Sequence, residues 1–415
     1  MNIYIVSDAS SRANVYGIGT YLRELTRSLR KYALNTTVIH IFSDKPDLDR
    51  IEHEGVLHLY IPSYKKNRRD KDDEQYNNLY QQNVVYFLRQ HIPQNTEKLV
   101  FQLNFNHCQK MADRLKVAFN CKLIWVGHYL EWGLSLHGSI SLLQSILSKP
   151  VDDRNNAEQA ICSAFDMEQT LAKTVDHTIS LSKYMKKLFC NEYSIDSKQI
   201  SVVPNGLTDS YKNFSINKNL LRTKWQIDID ENLILFAGRL DIIKGLDYLI
   251  KAFREVLKVI PKCRLLVVGD GPYNIYIKES IDVFAKISYS GLIPRENLFE
   301  LYHIADIGVV PSLYEPFGYV AVEMMMHGLP MITTATSGLN ELVEDGISAL
   351  KIPVQFGVKN EEIDIMQLAR KIVFLLQNQD VANHLKKNAR KRYEKLYTSK
   401  KMGQSMFNLY KSLFR

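Results

Sequence analysis

The chain has 415 residues, and single hydrophobic cores rarely grow past about 250–300 residues, so a one-core protein is excluded. Apolar residues at 46%, charged residues at 24%, and only 19 Gly with 12 Pro exclude a disordered or collagen-like chain. The net charge of +8 is uneven: residues 386–415 hold ten Lys and Arg against the single acid Glu394, so basicity belongs to the C-terminal segment and no nucleic-acid-binding module accompanies it.

No run of about 18 apolar residues occurs, and the opening MNIYIVSDAS has no basic stretch followed by a long apolar one. Neither a membrane span nor a secretory signal is expected, and residence in the cytoplasm is the default. The cysteines Cys108, Cys121, Cys162, Cys190 and Cys263 are odd in number and contain no Cys-x-x-Cys pair, which points to reduced packing residues and to no structural zinc.

In chain order, the first half alternates β-rich runs with helical stretches. The strands expected are Ile3–Val6, Val38–Phe42, Leu99–Phe101, Leu123–Val126 and Val202–Val203. Ile18, Leu22, Leu25 and Leu29 follow the first of them at spacings of four, three and four, which places them on one helical face over a sheet. Residues 65–74, KKNRRDKDDE, mix both charges and read as a solvated loop or helix end, with acceptor or membrane contact as the other reading. Residues 134–174 carry no interpretable motif.

The alternation restarts with Leu233–Phe236, Leu265–Val268, Ile307–Val310 and Met331–Thr333, and with helices near 245–259, 295–304 and 319–327. Such βα alternation implies parallel sheets. The expected organisation is therefore α/β with two Rossmann-like domains: 1–206, a polar exposed linker 207–232, a second domain 233–385, and a basic helical segment 386–415. Parallel sheets bind ligands at the carboxyl ends of their strands, so a substrate cleft is expected between the two domains.

Two stretches carry the chemistry. After Leu233–Phe236 comes Gly238-Arg239-Leu240-Asp241-Ile242-Ile243-Lys244-Gly245, in which a turn, two cations and a helix start suit a phosphate group. After Ile307–Val310 comes a stretch with Glu315-Pro316-Phe317-Gly318 and, eight residues beyond the first acid, Glu323. Five helical residues rise about 7–8 Å, a span suited to one carboxylate on a hexose and the other on a ribose. Carboxylates accept paired hydroxyls well. The plain alternative is that Glu315 caps a helix starting at Pro316 and Glu323 forms a surface pair.

With these motifs in order, the chain resembles the family 4 retaining glycosyltransferases of the GT-B fold. The likeness also rests on Val203-Pro204-Asn205-Gly206, Gly269-Asp270-Gly271-Pro272 and Tyr16-Gly17-Ile18-Gly19. It implies that Arg239 and Lys244 hold the diphosphate of a nucleotide-sugar, UDP-sugar favoured. It further implies that Glu315 touches the sugar, that Glu323 holds the ribose, and that Gly238, Phe317 and Gly318 present backbone to the donor. Gly17 and Gly19 would let a loop approach closely, and His128 would stand beside the donor sugar.

No cofactor or metal is implied, and Asp47-Leu48-Asp49 and Asp228-Ile229-Asp230 lie in polar connections. The implied partners are the donor and a saccharide or lipid-linked acceptor of surface-glycan synthesis. The basic segment 386–415 either packs back on the first domain or touches the inner membrane face as an amphipathic helix. Departures from the family pattern leave Asp209 without an assigned role and make Tyr129 and Trp132 candidates for stacking on a sugar. Two rivals stay open: a non-catalytic nucleotide-sugar-binding or assembly protein, and an NAD-dependent dehydrogenase reading Gly17-Ile18-Gly19 with Asp44. The dehydrogenase lacks the third glycine, since position 22 is Leu.

Overall fold

The computed structural model describes residues 1–10, 17–63, 74–93, 96–211, 217–356 and 361–415. Tyr16 and the charged run from 65 to 73 lie outside them, and Glu74 opens a helix, Glu74–His91. The chain divides into two compact units, one of residues 1–132, 141–206 and 399–415, the other of residues 133–140 and 207–398.

The first unit is built on eight strands: β1 (Asn2–Asp8), β2 (Asn35–Ser43), β3 (Asp49–His53), β4 (Val56–Pro62), β5 (Leu99–Leu103), β6 (Cys121–Gly127), β7 (His177–Ser180) and β8 (Ile200–Val202). Their order is β3-β4-β2-β1-β5-β6-β7-β8, parallel throughout except for the β3–β4 pair. Every residue of β5 is buried, as expected of a central parallel strand covered on both faces. The helix Gly17–Leu29 buries Ile18, Leu22, Leu25 and Leu29, the stripe read from the sequence.

The last helix, Ser399–Ser412, packs on this helix. Gly403 allows the approach, because a Cβ there would overlap the Ser28 side chain, and Tyr32 stacks on Phe407 at 4.1 Å between ring centroids.

The second unit holds a parallel six-stranded sheet of β9 (Asn232–Ala237), β10 (Cys263–Val268), β11 (Ile287–Gly291), β12 (Ile307–Val310), β13 (Met331–Thr334) and β14 (Leu350–Ile352), in the order β11-β10-β9-β12-β13-β14. A short antiparallel pair, β15 (Val354–Phe356) and β16 (Glu361–Ile363), stands apart. Leu246, Leu249, Ile250, Phe253 and Val256 of the helix Leu246–Val259 join the core of this unit with Leu265, Val309 and Ile332.

Two expected boundaries change. The segment 207–232 is not an exposed linker: it belongs to the second unit and contains a helix, Lys218–Lys224. Leu207, Arg222, Ile227 and Glu231 are buried. The reason is Arg222, whose guanidinium donates to the carbonyls of Asp228, Ile229, Glu231 and Ile304 and to Asp306 at 2.8 Å. A polar composition concealed a buried cation satisfied by main-chain acceptors.

The second change is that the basic segment 386–415 divides. The helix Gln379–Leu396 belongs to the second unit, and only the helix Ser399–Ser412 belongs to the first. Ala382, Leu385, Ala389 and Tyr393 are buried, while Arg390 pairs with Asp209 and Arg392 with Glu344. The apolar face of this basic helix is thus covered by its own unit, which removes the amphipathic face a membrane surface would need. Among the described residues no helix is long and apolar enough to cross a membrane.

Candidate active site

In the second unit, three loops leave the carboxyl ends of adjacent strands, and glycines press them together. After β9, Gly238 has φ +151°, and after β10, Gly269 and Gly271 have φ +144° and +156°. A Cβ on Gly269 would overlap the Gly238 carbonyl, one on Gly271 the Leu240 carbonyl, and one on Gly245 the Pro311 carbonyl. Main-chain bonds finish the join: Leu240 N–H donates to Asp270 O at 2.8 Å and Leu313 N–H to Ile243 O at 2.8 Å. The loops 238–245, 269–272 and 311–318 therefore form one block of backbone that leaves no room for side chains between them.

The two carried-over charges meet on this block. Lys244 ends a short 3-10 turn, Ile242–Lys244, and its Nζ lies 2.5 Å from Glu315 Oε2. Their side chains keep 20% and 17% of their accessible surface, enough for a ligand to reach either one. Arg239, by contrast, reaches Asp241 at 3.0 Å and is about one-third exposed. The structure brings Lys244 and Glu315 together and turns Arg239 to its own loop.

Glu315 is held by groups the sequence reading did not single out. Its backbone N–H donates to Ser337 Oγ at 2.8 Å, and the same hydroxyl donates to Glu315 O at 2.9 Å. Thr336 Oγ1 donates to Leu313 O at 2.6 Å and Thr334 Oγ1 to Ser312 O at 2.5 Å. Three hydroxyls from the end of β13 thus fix residues 312–315.

The helix is Tyr319–His327, so it does not start at Pro316; Gly318, with φ +110°, stands before its first residue. Phe317 is buried against Tyr319 and Tyr397, so any part it plays toward a ligand is through its main chain. Glu323 is not in a surface pair: it is buried, with Arg295 at 2.9 Å on one oxygen and the Tyr302 hydroxyl at 2.9 Å on the other. Asp209, unassigned from the sequence, takes the Arg390 guanidinium. Among the described residues no group of three or more His, Cys, Asp and Glu is placed to hold a metal ion.

The remaining candidates lie in the first unit. Gly17 and Gly19 are not in a loop but in the first turn of the helix Gly17–Leu29. His128 follows β6, and its Nε2 lies 3.1 Å from Asn104 Oδ1, with Tyr21 edge-on to the ring. Burial pushes the imidazole down to about 3, so it is neutral near pH 7. Trp132 is fully buried and donates to the Tyr193 hydroxyl at 2.9 Å, which corrects the expectation that it stacks on a sugar.

Glu168 was missed altogether. It lies in the helix Asn156–Thr174 and is fully buried. It accepts from Asn106 Nδ2 at 2.9 Å, Glu131 N–H at 2.7 Å and the Tyr193 hydroxyl at 2.5 Å. Burial pushes its carboxyl up to about 8, against the pull of Tyr193 and the Glu131 N–H. The helix begins at a capping box of Asn155 and Glu158, a signal within the stretch for which the sequence reading found no motif.

Residues 217–392, which contain the block of loops, Lys244, Glu315 and Glu323, match the model of the family described as glycosyl transferases group 1. This stretch, within the second unit, is thus similar to the glycosyl transferases of group 1. Sequence likeness to single proteins covers about half of the chain: it is 30% identical over 226 residues to a lipopolysaccharide 1,2-N-acetylglucosaminetransferase of Salmonella typhimurium, covering 51% of this chain and 57% of that one. The chain spans a little over half the length of the curated relatives it matches.

Whole-chain likeness is structural. A sucrose-phosphate synthase from Thermosynechococcus elongatus aligns over 100% of this chain and 99% of its own, at TM-score 0.76 and 22% identity. The HepE protein of Anabaena, solved in complex with UDP and glucose, aligns over 99% and 100% at TM-score 0.73 and 16% identity. The fold is GT-B, two parallel α/β units, around a group 1 domain.

Proposed function

We propose that this protein is a retaining, metal-independent glycosyltransferase that moves a hexose-type sugar from a nucleoside-diphosphate sugar, UDP-sugar favoured, to a hydroxyl of a saccharide or lipid-linked acceptor in surface-glycan synthesis. The observation that carries this reading is the Lys244–Glu315 pair, 2.5 Å apart on the glycine-packed loops of a group 1 domain. It is supported by the UDP and glucose in the HepE complex and by the lipopolysaccharide acceptor in the name of the Salmonella relative.

On this reading the donor exchanges the partners of that pair. Its diphosphate takes Lys244, with Arg239 leaving Asp241 to join it, and the sugar hydroxyls take the acceptor-only oxygens of Glu315. Glu323 already receives donors from Arg295 and Tyr302, which hold it in place to accept a ribose hydroxyl at its remaining lone pairs. As the glycosidic bond breaks, negative charge grows on the leaving phosphate; the cations and the main-chain N–H groups at Phe317 and Gly318 stabilise it. The attacking hydroxyl approaches from the leaving-group side and passes its proton to the departing phosphate oxygen, so configuration is retained and no protein base is needed.

Calorimetric titration of UDP, GDP, ADP and NAD, followed by donor-dependent product formation on a saccharide acceptor, tests the proposal. Binding of one nucleoside diphosphate and turnover of its sugar are expected. Binding of NAD alone would return the dehydrogenase, and binding without turnover on any acceptor would leave a non-catalytic relative.

A further inference from the structure

Glu168 stands behind the segments that follow β5 and β6, and the directions of its hydrogen bonds can be deduced. Glu168, Asn106, Trp132 and Tyr193 are all buried. Asn106 Nδ2 lies 3.2 Å from Tyr129 O, and a main-chain carbonyl can only accept, so this atom is the NH₂ of the amide. The same NH₂ donates to Glu168 Oε1 at 2.9 Å, and the Glu131 N–H donates to that oxygen at 2.7 Å. Two N–H donors occupy both in-plane directions of Oε1, so a proton taken up by this carboxyl goes to Oε2.

On Oε2 stands the Tyr193 hydroxyl at 2.5 Å, and the Tyr193 oxygen receives the Trp132 indole N–H at 2.9 Å. This relay has two settings. With Glu168 ionised, Tyr193 donates to Oε2, and its oxygen, made more negative by that bond, is a strong acceptor for Trp132. With a proton on Oε2 the bond reverses: Oε2–H donates to the Tyr193 oxygen, which is then shared with the Trp132 N–H, and the Tyr193 proton turns elsewhere. The bond to Trp132 weakens.

We propose that Glu168 is a positioning residue that holds residues 129–132, the last of the first unit before the chain passes to the second at Gly133, and that its proton reverses the Tyr193 relay and so sets how firmly Trp132 is held. Burial places the change near pH 8. Around the carboxyl, Tyr193, the Glu131 N–H and His107 favour the ionised form, and the Glu131 carboxylate opposes it. His107 lies 3.6 Å from Glu131 and also feels Asp8 at the end of β1. The helix Gln109–Ala118 packs alongside, but its Gln109 and Lys116 reach Thr174, at the end of the Glu168 helix, and its Arg114 turns to Asn78 O. None of this depends on the glycosyltransferase reading.

The test is nitrogen NMR of the full-length protein labelled at tryptophan. The chain has three tryptophans, Trp125, Trp132 and Trp225, and Trp132→Phe assigns the middle one. Its indole N–H should titrate with a midpoint near pH 8, the proton moving downfield toward the alkaline end as the bond to Tyr193 strengthens. A Trp132 signal that does not move from about pH 6 to about pH 10 in the folded wild type overturns the proposal without any variant. Glu168→Gln puts an NH₂ where the protonated Oε2 would stand, so its Trp132 signal should keep the acid-end position over the whole range. A titration that survives in this variant belongs to another group and overturns the proposal as well.

The holding of residues 129–132 is read from amide exchange. Glu168→Leu removes the acceptor of the Glu131 N–H, and exchange of that amide should speed up about ten-fold or more, whereas Glu168→Gln, which keeps an oxygen in the place of Oε1, should stay close to wild type. Equal exchange in all three proteins removes the positioning role. Should Glu168→Leu fail to fold, Tyr193→Phe supplies the second arm: with the relay cut, the Trp132 signal should no longer titrate, and a wild-type titration there counts against the proposal.

Discussion

Lys244 and Glu315 are 71 residues apart in sequence and 2.5 Å apart in the fold. Each is satisfied by the other, so a ligand with both an anion and hydroxyls can take both without leaving a buried charge unpaired. Lys244→Ala should weaken nucleoside-diphosphate binding about ten- to a hundred-fold, the loss of one charged hydrogen bond, and lower turnover about 10²–10³-fold, with the thermal midpoint little changed. Calorimetry and initial rates check this, and near-normal values of both would remove Lys244 from the site. The two side chains were legible because their chemical type follows a strand end in each case. Ser337, Thr336 and Thr334 were not, since a hydroxyl bonded to a carbonyl 22 or 23 residues back leaves no periodic trace.

At the scale of elements, the glycines are the test. Gly245 has φ +67° and its Cα faces the Pro311 carbonyl, whereas Gly346, with φ +69°, has nothing near a built Cβ. Gly346→Ala should cost only the strain of the left-handed backbone, about 1–2 kcal/mol. Gly245→Ala adds the clash and should cost more, while also separating Lys244 from Glu315 and weakening nucleotide binding. Equal midpoints and equal affinities in the two variants would show that the loop contact does not matter. The motif spacing made Gly245 visible, but not its partner Pro311, because the sequence does not say which loops are neighbours.

The helices Arg295–Ile304 and Tyr319–His327 carry a second element-scale prediction. His327 Nδ1 lies 3.1 Å from His303 Nε2, and its own Nε2 lies 3.2 Å from Ser210 Oγ. Burial, with His303 adding to it, pushes His327 down to about 3; burial, with Lys386 adding to it, pushes His303 down to about 4. Both rings are therefore neutral when folded and regain an ordinary value of about 6.5 on unfolding. Between those values the unfolded chain binds more protons, so the stabilisation is complete above about pH 6.5 and is lost as the pH falls toward 4. The urea midpoint should fall over this range, and less steeply in His327→Gln; parallel curves for the two proteins would contradict it.

At the scale of the molecule, the last helix shows why the ends of the chain have to be considered with the middle. Tyr410 is the donor to Gln102 in the centre of the first sheet, 308 residues earlier. Tyr410→Phe leaves a buried amide oxygen without its donor and should cost about 1–3 kcal/mol, read as a lower urea midpoint. An unchanged midpoint would mean that Gln102 finds another partner.

What the sequence determined by itself was local: strands as short apolar runs, helices as stripes, the order of the domains' elements, and the chemical type of the residues near the group 1 motifs. Burial of a run needs only its own side chains, so it is written in them. What only the tertiary structure decided was everything that depends on a distant partner. A polar linker became part of the second unit because Arg222 found main-chain acceptors, the basic segment split between the units because Arg390 and Arg392 found acids, and Trp132 went into the core because Tyr193 could take its N–H. Hydrogen bonds and ion pairs join residues at any separation, so composition reports that such groups exist but not which of them meet.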